Sequence, residues 1–305
     1  MKAEKVLEHG YHWRFYASEQ SKRCILLAGL DRNVIISAVA KYFARKGVSV
    51  LVLPTDPMGN AAPGLHGFPL ECVKTAIAWL RARGIQKIGI MGSSTTAMLA
   101  LTIASRTPEI TLTLACTPSN FVMQGFFNGK LDGRIPEWPA PGESVLNDGG
   151  KPVPYAPFNL TPEEYYALSY GAATKEAGEL NARKVFAKME KEGIPAESLI
   201  PVENIRGKIY LFGAEDDTLW PTADYIRRME ARLRANGNTN FEAHIFEYGT
   251  HLMFPQGVVK NILPFGINFV LGRVFKSAKA HPKECEQARR EVDQTIVRAL
   301  EEWSK

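Results

Sequence analysis

Ile88-Gly89-Ile90-Met91-Gly92-Ser93-Ser94-Thr95-Thr96-Ala97 decides how this chain folds. Residues 88–91 show no polar alternation, as a strand buried on both faces requires. Gly92-Ser93-Ser94 is small enough for a tight turn, and the spacing beyond it predicts a helix over 95–105. A strand passing through one turn into a helix is the first half of a crossover between parallel strands.

The same unit repeats outward from that stretch. Upstream, Cys24 to Ala28 reads as a buried strand, Ile36, Val39, Tyr42 and Phe43 recur at helical spacing, and Gly47 closes the helix. Val48 to Leu53 is the next strand, followed by a helical stripe of Leu70, Val73, Ile77 and Leu80 closed by Gly84. Downstream, strands are predicted at Thr111 to Ala115, Lys208 to Phe212 and Phe241 to Phe246. Pro221 opens a helix with Tyr225, Ile226, Met229 and Leu233 on one face. A last helix buries Ala288, Val292, Ile296, Ala299, Leu300 and Trp303. Alternation of this kind predicts an α/β class chain, a doubly wound, mostly parallel sheet with helices on both faces and right-handed crossovers.

The rhythm breaks between about residues 117 and 206. Pro136, Pro139, Pro141, Gly142, Pro152, Pro154 and Pro157 exclude continuous helix or central strand over 132–158. Helices follow at Pro162 to Tyr170, capped by Thr161, and at about Asn181 to Lys191, ending at Gly193. An excursion this long is either a lid over the carboxyl edge of the sheet or a decorated surface loop; ligands of open α/β sheets bind at that edge, which favours the lid. The organisation expected is a single domain over 1–305 with a lid insertion at about 118–206.

The 305 residues are 45% hydrophobic and 23% charged, enough for one sizeable core, with disorder expected only at the ends. The net charge of +5 is spread among acidic residues, and no basic run interleaved with aromatics suggests a nucleic-acid surface. Such a mild excess would also suit a polyanionic substrate such as a nucleotide-bearing thioester. Cys24, Cys72, Cys116 and Cys285 show no CxxC pairing, which argues against a disulfide framework or a zinc site. His9, His12, His66, His244 and His281 do not pair at metal-ligand spacing, so no metal and no cofactor is expected. MKAEKVLEHGYHW has no apolar signal core, and no stretch approaches the roughly 18–20 apolar residues of a membrane span. The cytoplasm is therefore the expected compartment.

Chemistry concentrates past three strand ends. A serine held in a strained strand-to-helix turn needs small residues two positions to either side. Ser94 has Gly92 and Thr96 there, whereas Ser93 has Met91 and Thr95, so Ser94 fits better. Taken alone, such a serine is more often a helix N-cap than a nucleophile. Its company changes the reading. The strand at 208–212 runs into Gly213-Ala214-Glu215-Asp216-Asp217-Thr218-Leu219-Trp220-Pro221, and the strand at 241–246 into Glu247-Tyr248-Gly249-Thr250-His251. Ser, acid and His thus occur in the order of an α/β-hydrolase triad, each just past a strand. His251 is expected to take the Ser94 proton, with an aspartate holding its other ring nitrogen. The oxyanion would be met by the amides of Thr95 and, from the Gly29-Leu30-Asp31 loop, Leu30.

At these residues the chain resembles the C-terminal catalytic domain of acyl-CoA thioesterases and bile acid-CoA:amino acid N-acyltransferases, within the α/β-hydrolase superfamily. Gly89-Ile90-Met91-Gly92-Ser93-Ser94, Ile200-Pro201-Val202-Glu203-Asn204-Ile205 with Glu215 to Pro221, and Tyr248-Gly249-Thr250-His251 carry the likeness over most of 20–275. Aligned on Trp220-Pro221, the family's acid falls on Asp217; counting from Gly213 would choose Asp216. Three departures stand out: Thr96 and Ala214 replace glycines, the helical part of the lid looks expanded, and no counterpart of the β-sandwich domain of the animal enzymes is expected. In this family the amino-acid transferases look like cysteine enzymes and the thioesterases like serine enzymes. Ser94 therefore implies hydrolysis of an acyl thioester or carboxylic ester, a small-molecule substrate, with oligomeric state open. The other readings are a general carboxylesterase, an acyl-CoA:amino acid N-acyltransferase, a peptidase or dienelactone-type hydrolase, or an inactive binding protein. Thr96 favours the last of these, because its side chain is expected to crowd the turn.

Overall fold

A computed structural model of the protein describes residues 2–30, 33–128, 137–169 and 171–305. Asp31, Pro136 and Tyr170, used above, lie outside the described residues. The main sheet has eight strands: β1 (Glu4–Glu8), β2 (Tyr11–Tyr16), β3 (Arg23–Ala28), β4 (Ser49–Leu53), β5 (Lys87–Ser93), β6 (Ile110–Cys116), β7 (Lys208–Ala214) and β8 (Phe241–Phe246). Their spatial order is β1-β2-β4-β3-β5-β6-β7-β8. All neighbours from β4 to β8 pair parallel, and only the pairs made by β2 are antiparallel.

The apolar runs of the sequence resolve into two faces at period two. Cys24, Leu26, Leu51, Ile209 and Leu211 enter one core, with α2 (Leu70–Ala82), α3 (Thr95–Ala104) and α7 (Thr222–Ala235). Ile25, Leu27, Val50, Val52, Tyr210 and Phe212 enter the other, under α1 (Asn33–Ala44) and α11 (Pro282–Glu302). Burial on both faces is why these strands carry no polar alternation. The last helix buries the stripe its spacing predicts, and its end is fastened to the sheet by Arg23 Nη1 donating to Leu300 O (2.6 Å) and Lys87 Nζ to Trp303 O (2.8 Å).

Near both ends the described residues build regular elements, where disorder is expected from composition. β1 and β2 form a hairpin whose turn residues His9 and Gly10 have φ of 49° and 83°. Positive φ at both central positions matches the right-handed twist of the flanking strands. Val6, Trp13 and Phe15 pack into the core, and the Trp13 indole N–H donates to Cys72 Sγ at 3.1 Å. After β8 come α8 (Gln256–Ile262), α9 (Ile267–Val274) and α10 (Lys276–Ala280), which the periodicity did not predict because each is short.

The excursion between β6 and β7 builds small structures of its own. Glu137–Ser144 pairs with Gln124–Asn128, which pairs with Gly64–Leu65, and Lys151–Pro152 pairs with Leu146–Asp148, which pairs with Phe68–Pro69, giving two three-stranded sheets off the main one. α4 (Pro162–Leu168) starts at a capping box, with Thr161 Oγ1 accepting from Glu164 N–H and the Glu164 carboxylate accepting from Thr161 N–H. α5 (Ala172–Ala177) and α6 (Arg183–Glu192) complete it.

At the open edge of the sheet, Glu242 on β8 accepts from Arg298 of α11 at 2.6 and 3.0 Å and pairs with Lys208 of β7 at 2.9 Å. Arg298 and Lys208 hold its carboxyl down to about 2. The pKa is depressed in the folded chain, so the stabilisation is present above the unfolded value near 4.3 and disappears as pH falls toward 2. Glu242→Gln is expected to cost about 1 kcal/mol at pH 7, allowing for solvent screening of a rim network. Urea unfolding across pH should show the difference between the two proteins closing below about pH 4.

Candidate active site

Ser94 occupies the turn between β5 and α3 with φ 60° and ψ −130°, in the left-handed half of backbone space that favours glycine. A non-glycine residue there costs on the order of 1–3 kcal/mol and persists only when its surroundings enforce it. Here its amide donates to Cys116 O of β6 at 2.9 Å, and its carbonyl accepts from the amides of Ala97 and Met98. Gly92 makes the turn possible, because a Cβ there would lie 2.1 Å from the Thr96 carbonyl oxygen.

Thr96 does not crowd the turn. Its Oγ1 accepts from Ser93 N–H at 2.9 Å and donates to Ser93 O at 2.8 Å. The hydroxyl ties both backbone groups of Ser93.

The three strand-end residues meet. Ser94 Oγ is 2.7 Å from His251 Nε2, and His251 Nδ1 is 2.8 Å from Asp217 Oδ2. A carboxylate only accepts, so Nδ1 carries the proton and Nε2 is left to accept from the serine hydroxyl. His251 and Asp217 are both buried. Buried charge needs partners. Asp217 has them: Oδ1 accepts from Leu219 N–H at 2.9 Å and from Trp220 N–H at 3.4 Å, and Oδ2 from the Thr222 hydroxyl. The Trp220 ring stands edge-on to His251 with centroids 4.6 Å apart, backed by Phe186 of α6.

The two adjacent aspartates differ in where each carboxylate goes. Asp216 turns the other way, accepting from Gly249 N–H at 3.0 Å and Thr250 N–H at 2.8 Å and from the Ser277 hydroxyl of α10. It grips the loop that presents His251, in which Thr250 has φ 60°. Tyr248 of that loop stacks on His281 at 3.7 Å. Thr218, next along, donates to Leu180 O at 2.7 Å and so ties the excursion to the same loop.

Above Ser94 lies a cavity of about 680 Å³. Thr95 and Leu30, the two residues expected to supply oxyanion amides, both line it. Thr95 is the first residue of α3, where a helix leaves its N–H without an internal acceptor. The walls are largely apolar, with Leu65, Phe126, Leu180, Leu219, Leu252 and Phe254 among them. Glu137 also faces it and accepts from the Tyr165 hydroxyl at 2.7 Å, and no Lys or Arg is among the described lining residues. Leu65, Phe126, Glu137 and Leu180 are not found from sequence; they sit in short strands outside the main sheet or in a loop, where no periodicity marks an inward face.

No thiol competes for the role of nucleophile. All four cysteines are free and buried, and burial pushes the Cys116 thiol, at the end of β6, up to about 12. His66, outside the cavity lining, is held by Glu143 at 2.5 Å and Ala62 O at 2.9 Å.

A search among curated proteins finds no match to this sequence. Among solved structures, the chain is similar to the esterase Pf2001 of Pyrococcus furiosus, with 15% identity, 90% of each chain covered and a TM-score of 0.50. It is similar also to a protein of Klebsiella pneumoniae subsp. pneumoniae assigned as a dienelactone hydrolase, with 9% identity, 98% of this chain and 97% of that one covered, and a TM-score of 0.51. These likenesses establish the α/β-hydrolase fold. The family model described as BAAT / acyl-CoA thioester hydrolase C terminal matches residues 68–256, a span that holds Ser94, Asp217 and His251. Matched over more than half its length, the chain belongs to that family.

Proposed function

We propose that the chain is a serine hydrolase that cleaves an acyl thioester or carboxylic ester through a Ser94 acyl-enzyme. The observation that carries this reading is the hydrogen-bonded line from Ser94 Oγ through His251 to Asp217, at 2.7 and 2.8 Å, built on a strained serine turn. Family membership supports the thioester as substrate.

The steps follow from the groups present. Ser94 Oγ attacks the acyl carbonyl while His251 Nε2 takes its proton, and Asp217 holds Nδ1–H and stabilises the imidazolium. The carbonyl oxygen, now an oxyanion, turns toward the amides of Thr95 and Leu30. The carbon–sulfur or carbon–oxygen bond breaks, and the leaving thiol or alcohol receives the proton from His251. Water then repeats the sequence on the acyl-serine, releasing the acid. An ester of serine is less reactive toward amines than a thioester would be, which supports water over an amino acid as acceptor.

Phe126, Glu137 and Leu180 reach the cavity from the 118–206 excursion, which supports reading that segment as a lid over a single catalytic domain. Among the described residues no helix is long and apolar enough to cross a membrane. Four free, buried thiols agree with a reducing compartment such as the cytoplasm.

A carboxylesterase is the second reading. It is favoured by the cavity lining, which among the described residues offers Glu137 and no Lys or Arg to meet the phosphates of a nucleotide carrier. Turnover of acyl-CoA and p-nitrophenyl esters by wild type and Ser94→Ala separates the two. Ser94-dependent turnover that prefers thioesters supports the first; turnover of short oxyesters alone leaves the second. Unlabelled, folded wild type with a fluorophosphonate probe would sink both and leave a binding protein.

The two aspartates should part in kinetics. Asp217→Asn is expected to lower kcat by about ten-thousand-fold, as loss of the imidazole's acid partner does. Asp216→Asn keeps an acceptor oxygen for the loop amides and should lose only about tenfold. Equal losses would refute the assignment of their roles.

Thr96→Val removes both hydrogen bonds to Ser93 and should cost about 1–3 kcal/mol of stability with a fall in kcat. Thr96→Ser should retain both. A valine variant indistinguishable from wild type in thermal melting and rate would show that the hydroxyl does not hold the turn.

A further inference from the structure

Ile262, Phe265, Phe269 and Val270 are 36%, 88%, 68% and 44% exposed. They are four of the seven large hydrophobic side chains left exposed among the described residues, and all fall within residues 262–270. Single exposed apolar residues need no explanation, whereas a concentration of them marks a contact surface. α9 carries two of the four outward while Leu271 packs into the core. The segment runs on from Leu252 and Phe254, which wall the Ser94 cavity.

Charge says what the surface faces. From Tyr248 to Lys283 the sequence holds Lys260, Arg273, Lys276, Lys279 and Lys283 and not one Asp or Glu, so this stretch carries as much net positive charge as the whole chain. All five are exposed. Arg273 lies with its guanidinium 5.0 Å from the Phe269 ring centroid, which sets a cation directly beside the apolar patch. Exposed Phe, Ile and Val with a collar of Lys and Arg is the pattern of an element that lies in the plane of an anionic membrane surface. Each cation near such a surface adds attraction that salt screens. A second copy of the chain is the poorer occupant. A two-fold contact would bring the same patch, and the same excess of cations, against itself.

We infer that residues 260–279, the α8–α9 connection with α9 and α10, form a docking surface for an anionic lipid bilayer. The aromatic side chains of Phe265 and Phe269 enter the acyl boundary, and Lys260, Arg273, Lys276 and Lys279 meet headgroup phosphates or carboxylates. The protein then lies on the membrane through this segment.

Co-sedimentation of the full chain with vesicles tests this. Vesicles of phosphatidylcholine with phosphatidylserine are compared with phosphatidylcholine alone, at low and high salt, using wild type, Phe265→Ser/Phe269→Ser and Lys260→Glu/Lys279→Glu. Binding is expected on the anionic vesicles at low salt, at least about tenfold weaker in either double variant and at high salt. These side chains are on the surface, so both variants should melt with wild type, and light scattering on the same samples reports oligomeric state. Binding that is equal on neutral vesicles, or indifferent to the phenylalanines, overturns the proposal. So does wild type that ignores vesicles but self-associates while Phe265→Ser/Phe269→Ser stays monomeric, because the patch is then a contact between copies.

Discussion

The hydrogen bond between Asp217 and His251 exists because the residues on either side of that aspartate hold everything around it. Asp216 grips the backbone of the histidine loop, Asp217 takes the imidazole, and Thr218 takes the carbonyl of Leu180. Three successive side chains at the end of one strand thus fasten two otherwise remote segments, the histidine loop and the stretch around Leu180. A buried carboxylate without donors would be costly, and Asp217 has two backbone amides and a hydroxyl besides the imidazole. The geometry at Ser94 therefore depends on a polar network whose members are mutually satisfied, and loosening one end loosens the others.

The sheet does the rest of the positioning. Because β3 to β8 run parallel, their carboxyl ends share an edge, and residues 157 and 34 positions apart in sequence become hydrogen-bonded neighbours there. Helices on both faces leave that edge as the place where a cavity can open. The excursion after β6 and the loop after β4 then wall it with side chains such as Phe126 and Leu65.

The parallel core is legible in the sequence because burial on both faces leaves a signal, a run such as Cys24 to Ala28 with nothing polar in it. The hairpin at the start is legible only in retrospect. Its inward residues, Val6, Trp13 and Phe15, are separated by charged and polar ones, so the segment is too hydrophilic on average to stand out. The positions of Ser94, Asp217 and His251 can be read from their places after strands, but the direction each aspartate faces cannot, since it depends on which amides and hydroxyls lie within reach. Thr96 misleads for a related reason. Its volume is visible in the sequence, while the hydrogen bonds to Ser93 that make the volume welcome are not. The excursion is legible as a break and nothing more, because short strands paired outside the main sheet carry no periodic signature.

The way α11 closes the molecule has a consequence for synthesis. One whole face of the sheet, with Ile25, Val50 and Phe212, is covered in part by residues between Asp293 and Trp303, and Tyr42 of α1 reaches Asp293 at 2.5 Å. A ribosome delivers these after every strand of the sheet. Until they emerge, the nascent chain holds a nearly complete sheet with an uncovered greasy side, the kind of surface on which partly made chains aggregate. The contacts that end this exposure span most of the chain, so closure is slow by topology. The final turns of α11 are thus the latch whose arrival covers this face of the sheet, and chaperones have most to do just before it.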